Sequence, residues 1–149
     1  MSVGDYCSRE VVICDRDTAI REVARLMRSH HVGDLVVVHR DGDGNRPIGI
    51  VTDRDLVIEV LAQDVDLDAI AAGDVMSFDL ALARAGDDLW ETLMRMRSLG
   101  LRRMPVVDEE GLLEGILTAD DVLELLAEGM SDLARLPRRE IRQESMRRR

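Results

Sequence analysis

Two short segments of this chain place a hydroxyl and a carboxylate three residues apart where an apolar run ends. They are Thr52 with Asp55, in Gly49-Ile50-Val51-Thr52-Asp53-Arg54-Asp55, and Thr118 with Asp121, in Gly115-Ile116-Leu117-Thr118-Ala119-Asp120-Asp121. In each the apolar residues read as a strand and the Thr opens a helix, so the Asp falls in the first helical turn. A helix start exposes unpaired N–H groups and partial positive charge, which suit phosphate. A carboxylate there can accept both hydroxyls of a ribose diol, and a Thr hydroxyl reaches sugar or phosphate oxygen. The same spacing is that of a capping box with Asp in place of Glu, which needs no ligand.

Other chemistry is poorly supplied. Asp41-Gly42-Asp43-Gly44-Asn45 opens like an EF-hand calcium loop, but its twelfth position is Thr52 rather than Glu, and a hairpin turn accounts for it. Cys7, Cys14, His30, His31 and His39 do not fall at metal-ligand spacing, so no metal site is expected. No nucleophile stands beside a paired base, so no catalytic residue is assigned and an enzyme is not expected.

The elements that must position the two Thr-x-x-Asp pairs come in two copies. Val3 to Val38 lies on Ala72 to Val107 at a constant offset of 69 residues, without a gap. Gly4-Asp5 falls on Gly73-Asp74, Ser8 on Ser77, Glu22 on Glu91, and Met27-Arg28-Ser29 on Met96-Arg97-Ser98. A loop three residues shorter then brings Gly49–Asp55 onto Gly115–Asp121. Each copy reads as strand, helix, strand, strand, helix. In the first, Val11 to Cys14 is a strand, and Ile20, Val23, Ala24 and Met27 form the stripe of an amphipathic helix. Leu35 to His39 and Ile48 to Val51 are strands around the turn-forming Arg40 to Arg46, and Leu56, Val57, Val60 and Leu61 carry the second helix. In the second copy, Leu80 to Ala83, Met104 to Val107 and Leu113 to Leu117 are the strands. Asp88 and Glu91 have capping-box spacing at the head of the first helix.

The expected division is a first repeat at 1–62, a connector at 63–71, a second repeat at 72–129 and an Arg-rich tail at 130–149. The regular pattern is expected to end at Leu136-Pro137, with a disordered segment after it. One copy covers only one face of its small sheet, so the two should share a core as a pseudo-twofold α/β (α+β) domain.

Composition bounds the rest. The chain has 149 residues and 46% apolar content, but one Trp, one Tyr and one Phe, so its core is aliphatic. From residue 135 onward seven Arg face two Glu, a net of +5, which leaves −15 on the remainder of a chain whose total is −10. An acidic body repels nucleic acid and anionic membrane; the tail alone would attract them. No signal peptide or membrane span is read, and two cysteines make no disulfide framework, so the expectation is a cytoplasmic protein with no membrane partner.

Taken in order, Gly-Asp-x-x-Ser before the first strand, Arg-Met-Pro-Val-Val-Asp at Arg103–Asp108 and the twice-repeated Gly-Ile-(Val/Leu)-Thr-x-x-Asp resemble the cystathionine β-synthase (CBS) domain. The resemblance covers Val3 to about Gly129 and implies a stand-alone CBS pair, each repeat β-α-β-β-α. It implies a regulatory module that binds an adenine nucleotide in a cleft between the repeats and acts on an unidentified partner protein. The candidate ligands are AMP, ADP and ATP, with NAD and S-adenosylmethionine ranked behind them and no obligatory cofactor. Thr52, Asp55, Thr118 and Asp121 would hold ribose or phosphate. Arg102-Arg103, where related modules often carry a basic pair, would hold phosphate in the cleft of Asp55, with Arg54 nearby. The first copy has Gly33-Asp34 there, so the cleft of Asp121 would meet Asp34 and disfavour phosphate. The resemblance also implies a homodimer. The alternatives are a ligand-free structural or interaction module and nucleic-acid contact through the Arg-rich tail.

Overall fold

The sequence folds into two three-stranded sheets, one per repeat, in the order β1-β2-β3 and β4-β5-β6. The computed structural model describes the backbone of residues 1–148, with the side chains of all of these but 137–140. Along the chain the elements are α1 (Val3–Tyr6), β1 (Ile13–Cys14), α2 (Ile20–His30), β2 (Asp34–Asp41), β3 (Gly44–Thr52) and α3 (Asp53–Asp55), followed by a π-helix (Leu56–Leu61). The second repeat supplies α4 (Ala72–Val75), β4 (Ala83–Arg84), α5 (Leu89–Leu99), β5 (Arg103–Val107), β6 (Leu113–Thr118) and α6 (Ala119–Arg147). Two compact units result, Met1–Leu117 and Thr118–Arg149.

In each repeat the first strand pairs parallel with the second, Ile13 with Val36 and Ala83 with Val106, so an amphipathic helix must carry the chain back between them. The sequence supplies that helix with clear ends. Asp88 accepts the N–H groups of Trp90 and Glu91 at the start of α5, and Gly100 closes it in the left-handed region at φ 68°. Residues 35–38 of the second strand and 104–107 of its counterpart form unbroken apolar runs because both their faces are buried. Leu35 and Val37 point into a core with Ile20, Val23 and Met27 of α2, while Val36 and Val38 pack against Ile116 of the other repeat. The β2–β3 hairpin is tighter than the loop expected from the sequence. Its strands run on to Asp41 and Gly44, and Gly42 at φ 62° takes the turn position that favours glycine.

The two repeats exchange their leading segments. Gly4 and Val3 donate to the carbonyls of Ala85 and Asp87, and Gly73 and Ala72 donate to Arg16 and Thr18. Ser8 bridges to Ile116 on β6, and Ser77 bridges to Ile50 on β3. Ala72 and Met76 thereby enter the core of the first repeat. This exchange explains why both copies have Gly-Asp-x-x-Ser and a Gly before the third strand's Ile. A Cβ on Gly115 would sit 2.5 Å from the Ser8 carbonyl oxygen, and one on Gly49 would sit 2.5 Å from the Met76 sulfur. Gly115→Ala, which meets backbone, should therefore cost about 1–3 kcal/mol of stability. A melt should fall by several degrees, while Gly86→Ala, with nothing within 4 Å of its added carbon, should leave the melt unchanged.

The C-terminal expectation needs correction. The helix does not stop at Leu136 but runs 29 residues to Arg147. Pro137 lacks an N–H for the carbonyl four residues back, yet the Arg, Glu and Gln that follow are strong helix formers, and the backbone continues. The side chains of residues 138–140 and the whole of Arg149, expected to be part of the tail, lie outside the described residues. Ile141 and Met146 remain 64% and 75% exposed, so this last stretch buries little apolar surface. A chain ending at Leu136 should keep its melting temperature within about a degree; a fall of several degrees would mean that the segment packs.

Candidate functional site

At both strand ends the Thr-x-x-Asp pair closes a reciprocal capping box. Thr52 Oγ accepts the Asp55 N–H at 3.1 Å, and Asp55 Oδ2 accepts the Thr52 N–H at 2.9 Å. Thr118 and Asp121 repeat the pattern, each bond at 3.2 Å, within the second unit. Asp55 Oδ1 takes no hydrogen bond from the described residues and remains the oxygen that could accept a ligand hydroxyl. Directly after Asp55 the chain widens into the π-helix, with Ala62 donating to the Val57 carbonyl at 2.9 Å; such turns concentrate at functional sites.

Beside Thr52 lies a cavity of about 380 Å³, within the range of small-molecule sites. Thr52, Asp53 and Arg54 come to it from the first repeat, and Ser77, Asp79, Arg102 and Arg103 from the second. Ile50, Leu80, Ala81 and Leu101 supply an apolar wall. Three arginines and an apolar wall lining one cavity are chemistry suited to a ligand with an anionic group and a flat ring. Sequence reasoning brought Thr52, Arg54, Arg102 and Arg103 together here. It missed Ser77, Asp53 and Asp79. Ser77 was visible as the counterpart of Ser8, but nothing in a single strand of sequence says that the exchanged segment forms the wall.

Asp55 stands elsewhere. It lines a neighbouring cavity with Glu59, Val65, Ile70, Asp74, Val75 and Ser77, and only Ser77 is common to both. Ribose-binding by Asp55 and phosphate-binding by the arginines therefore require a ligand that passes Ser77.

Asp34 has a partner that its place in the sequence did not indicate. It does not stand apart from the arginines: its Oδ1 lies 3.1 Å from Arg103 Nη1, with the two side chains 17% and 30% exposed. The physical reason is the repeat itself. Positions 34 and 103 are equivalent, each opening the central strand of its repeat. Equivalent positions that touch must lie at the axis relating the copies. Burial pushes the Asp34 pKa upward, Arg103 opposes that, and the nearby Asp53 carboxylate adds to it. Elsewhere the cavity's cationic positions have no cationic counterpart: Arg54 corresponds to Asp120 and Arg102 to Gly33, while Asp79 corresponds to the like-charged Glu10.

Nucleophilic chemistry finds little support. Cys14 is buried, and burial followed by the Asp15 charge pushes its thiol up to about 11, away from the reactive thiolate. Among the described residues no group of three or more His, Cys, Asp or Glu is placed to hold a metal ion. Among the same residues no helix is long and apolar enough to cross a membrane.

A fold of two exchanged β-α-β-β-α repeats, with a polar cavity where one copy's strand end meets the other's central strand, defines a tandem CBS pair. The CBS domain family model matches residues 3–62 and 72–128, and the chain belongs to that family. An uncharacterized protein of Methanopyrus kandleri is 36% identical over 125 residues, 84% of this chain and 62% of that one. This chain thus spans less than two thirds of that relative. Hypoxic response protein 1 of Mycobacterium tuberculosis is 32% identical over 124 residues, 83% of this chain and 84% of its own. Among solved structures, the cytosolic domain of the Mg²⁺ channel MgtE in complex with ATP superposes with a TM-score of 0.70 at 29% identity. The match covers 83% of this chain and 48% of that one.

Proposed function

We propose that this chain is a regulatory module that binds an adenine nucleotide of the AMP, ADP or ATP type. The phosphates would sit among Arg54, Arg102 and Arg103, and the ring against the apolar wall. Asp55 and Thr52 would hold ribose, and Thr118 and Asp121 are the corresponding pair of the second repeat. The observation that carries this reading is the meeting of three arginines from two repeats in one cavity, on a chain whose net charge is −10. A related structure solved with ATP supports it. The module has no catalytic role in this reading. It acts in trans, as a homodimer, on a partner protein, and the ligand shifts its shape only so far as it binds two states with different affinity.

A ligand-free structural module is the second reading, favoured by the capping boxes, which satisfy both Thr-x-x-Asp pairs without any ligand. Thermal melting with AMP, ADP, ATP, NAD and S-adenosylmethionine separates the two. A ligand at about 100 times its dissociation constant adds about 2.7 kcal/mol. A flat melt across the panel would favour the structural module.

A further inference from the structure

We propose that Asp34, outside the cavity lining, sets how strongly the cavity takes phosphate. The inference rests on the nucleotide reading above. The geometry is an ion pair already made: Asp34 Oδ1 is 3.1 Å from Arg103 Nη1, and Arg103 lines the cavity. The Asp34 carboxylate is only 17% exposed, so water screens the pair poorly. On its other side stands Asp53, whose carboxylate lies by Gly33 and whose N–H donates to the Gly33 carbonyl at 2.9 Å.

The formal charges of the cavity then cancel. Arg54, Arg102 and Arg103 share the lining with Asp53 and Asp79, and Asp34, outside the lining, pairs with Arg103. A phosphate that enters must share Arg103 with a carboxylate already bonded to it, and must do so within the field of that carboxylate. The pair makes the cavity selective: a ligand binds well only if its phosphates engage Arg54 and Arg102 strongly enough to accept a partly neutralised Arg103. Asp34 acts through Arg103 and is a specificity-determining residue, not a contact of the ligand. The ion pair at the repeat axis follows from one sequence difference, Asp in the first copy where the second has Arg.

The test titrates ATP, adenosine and inorganic tripolyphosphate into the wild-type chain, Asp34→Asn, Arg103→Ala and the double variant. Asp34→Asn should tighten ATP and tripolyphosphate by about tenfold and leave adenosine unchanged. With Arg103→Ala already present, the same change should gain about threefold or less. Unchanged or weakened ATP and tripolyphosphate in a folded Asp34→Asn would overturn the proposal while leaving the nucleotide reading intact. Asp34→Ser serves the same purpose if the Asn variant does not fold. Tripolyphosphate binding that tightens in the variant, in a chain that binds no nucleotide, would keep the role of Asp34 and sink the nucleotide reading. Binding of neither probe to any form would sink both.

Discussion

Replacing Arg102 and Arg103 together with Ala is expected to weaken ATP binding by roughly a hundredfold or more while changing adenosine by less than about threefold. Hydrogen bonds to charged groups contribute about 1.5–3 kcal/mol each, and two are removed. Both residues line one cavity with Thr52 and Arg54, and in the proposed binding mode they meet only the phosphates. Calorimetry with the two ligands reads the difference, and equal weakening of both would make these arginines supports of the fold. The variant should also reveal Asp34, which loses its 3.1 Å partner and stays largely buried. Its folded pKa is already raised, so the folded state holds this proton more tightly than the unfolded state does. Ionised Asp34 thus costs stability at neutral pH, and the cost is relieved as pH falls through the raised pKa toward the ordinary carboxylate range. The melting gap between variant and wild type should be widest near neutrality and should narrow on mild acidification.

Asp55→Ala is the second large effect. If Asp55 holds a ribose diol through Oδ1, its loss should reduce affinity for nucleotide and for adenosine alike by about ten- to a hundredfold. The same change removes the acceptor of the Thr52 N–H, a cap worth about 1 kcal/mol of stability. The two roles separate in the readout: a lower melt with unchanged affinity would leave Asp55 as a cap only.

Most of the fold was legible because the sequence states it twice. The offset between copies located the strands, the helical stripes and both capping boxes, each a local pattern of a few residues. The exchange of leading segments was not legible. It depends on Gly4, Gly49, Gly73 and Gly115 admitting a chain from the other repeat, and a glycine does not say which neighbour approaches it. The end of α6 was misplaced because Pro137 carries a strong local signal that the helix formers around it outweigh. In the site, Thr52, Arg54, Arg102 and Arg103 were expected at one cleft and line one cavity, but the pairing of Asp34 with Arg103 was not legible. Sequence puts those residues 69 apart in two copies of one unit, and only the symmetry of assembly makes equivalent positions neighbours. The neighbouring location of Asp55 was missed for a related reason: residues one helical step apart on a chain can face different cavities once a segment such as Ser77 runs between them.

The proposed nucleotide-binding module stands on one phosphate-accepting cavity built by both repeats. Calorimetric titration of ATP into the wild-type chain tests it most directly. One tight site per chain is predicted, displaced by AMP and ADP and weakened by rising salt. No binding, or two sites of equal affinity despite the inverted charges at Asp120 and Asp34, would contradict it.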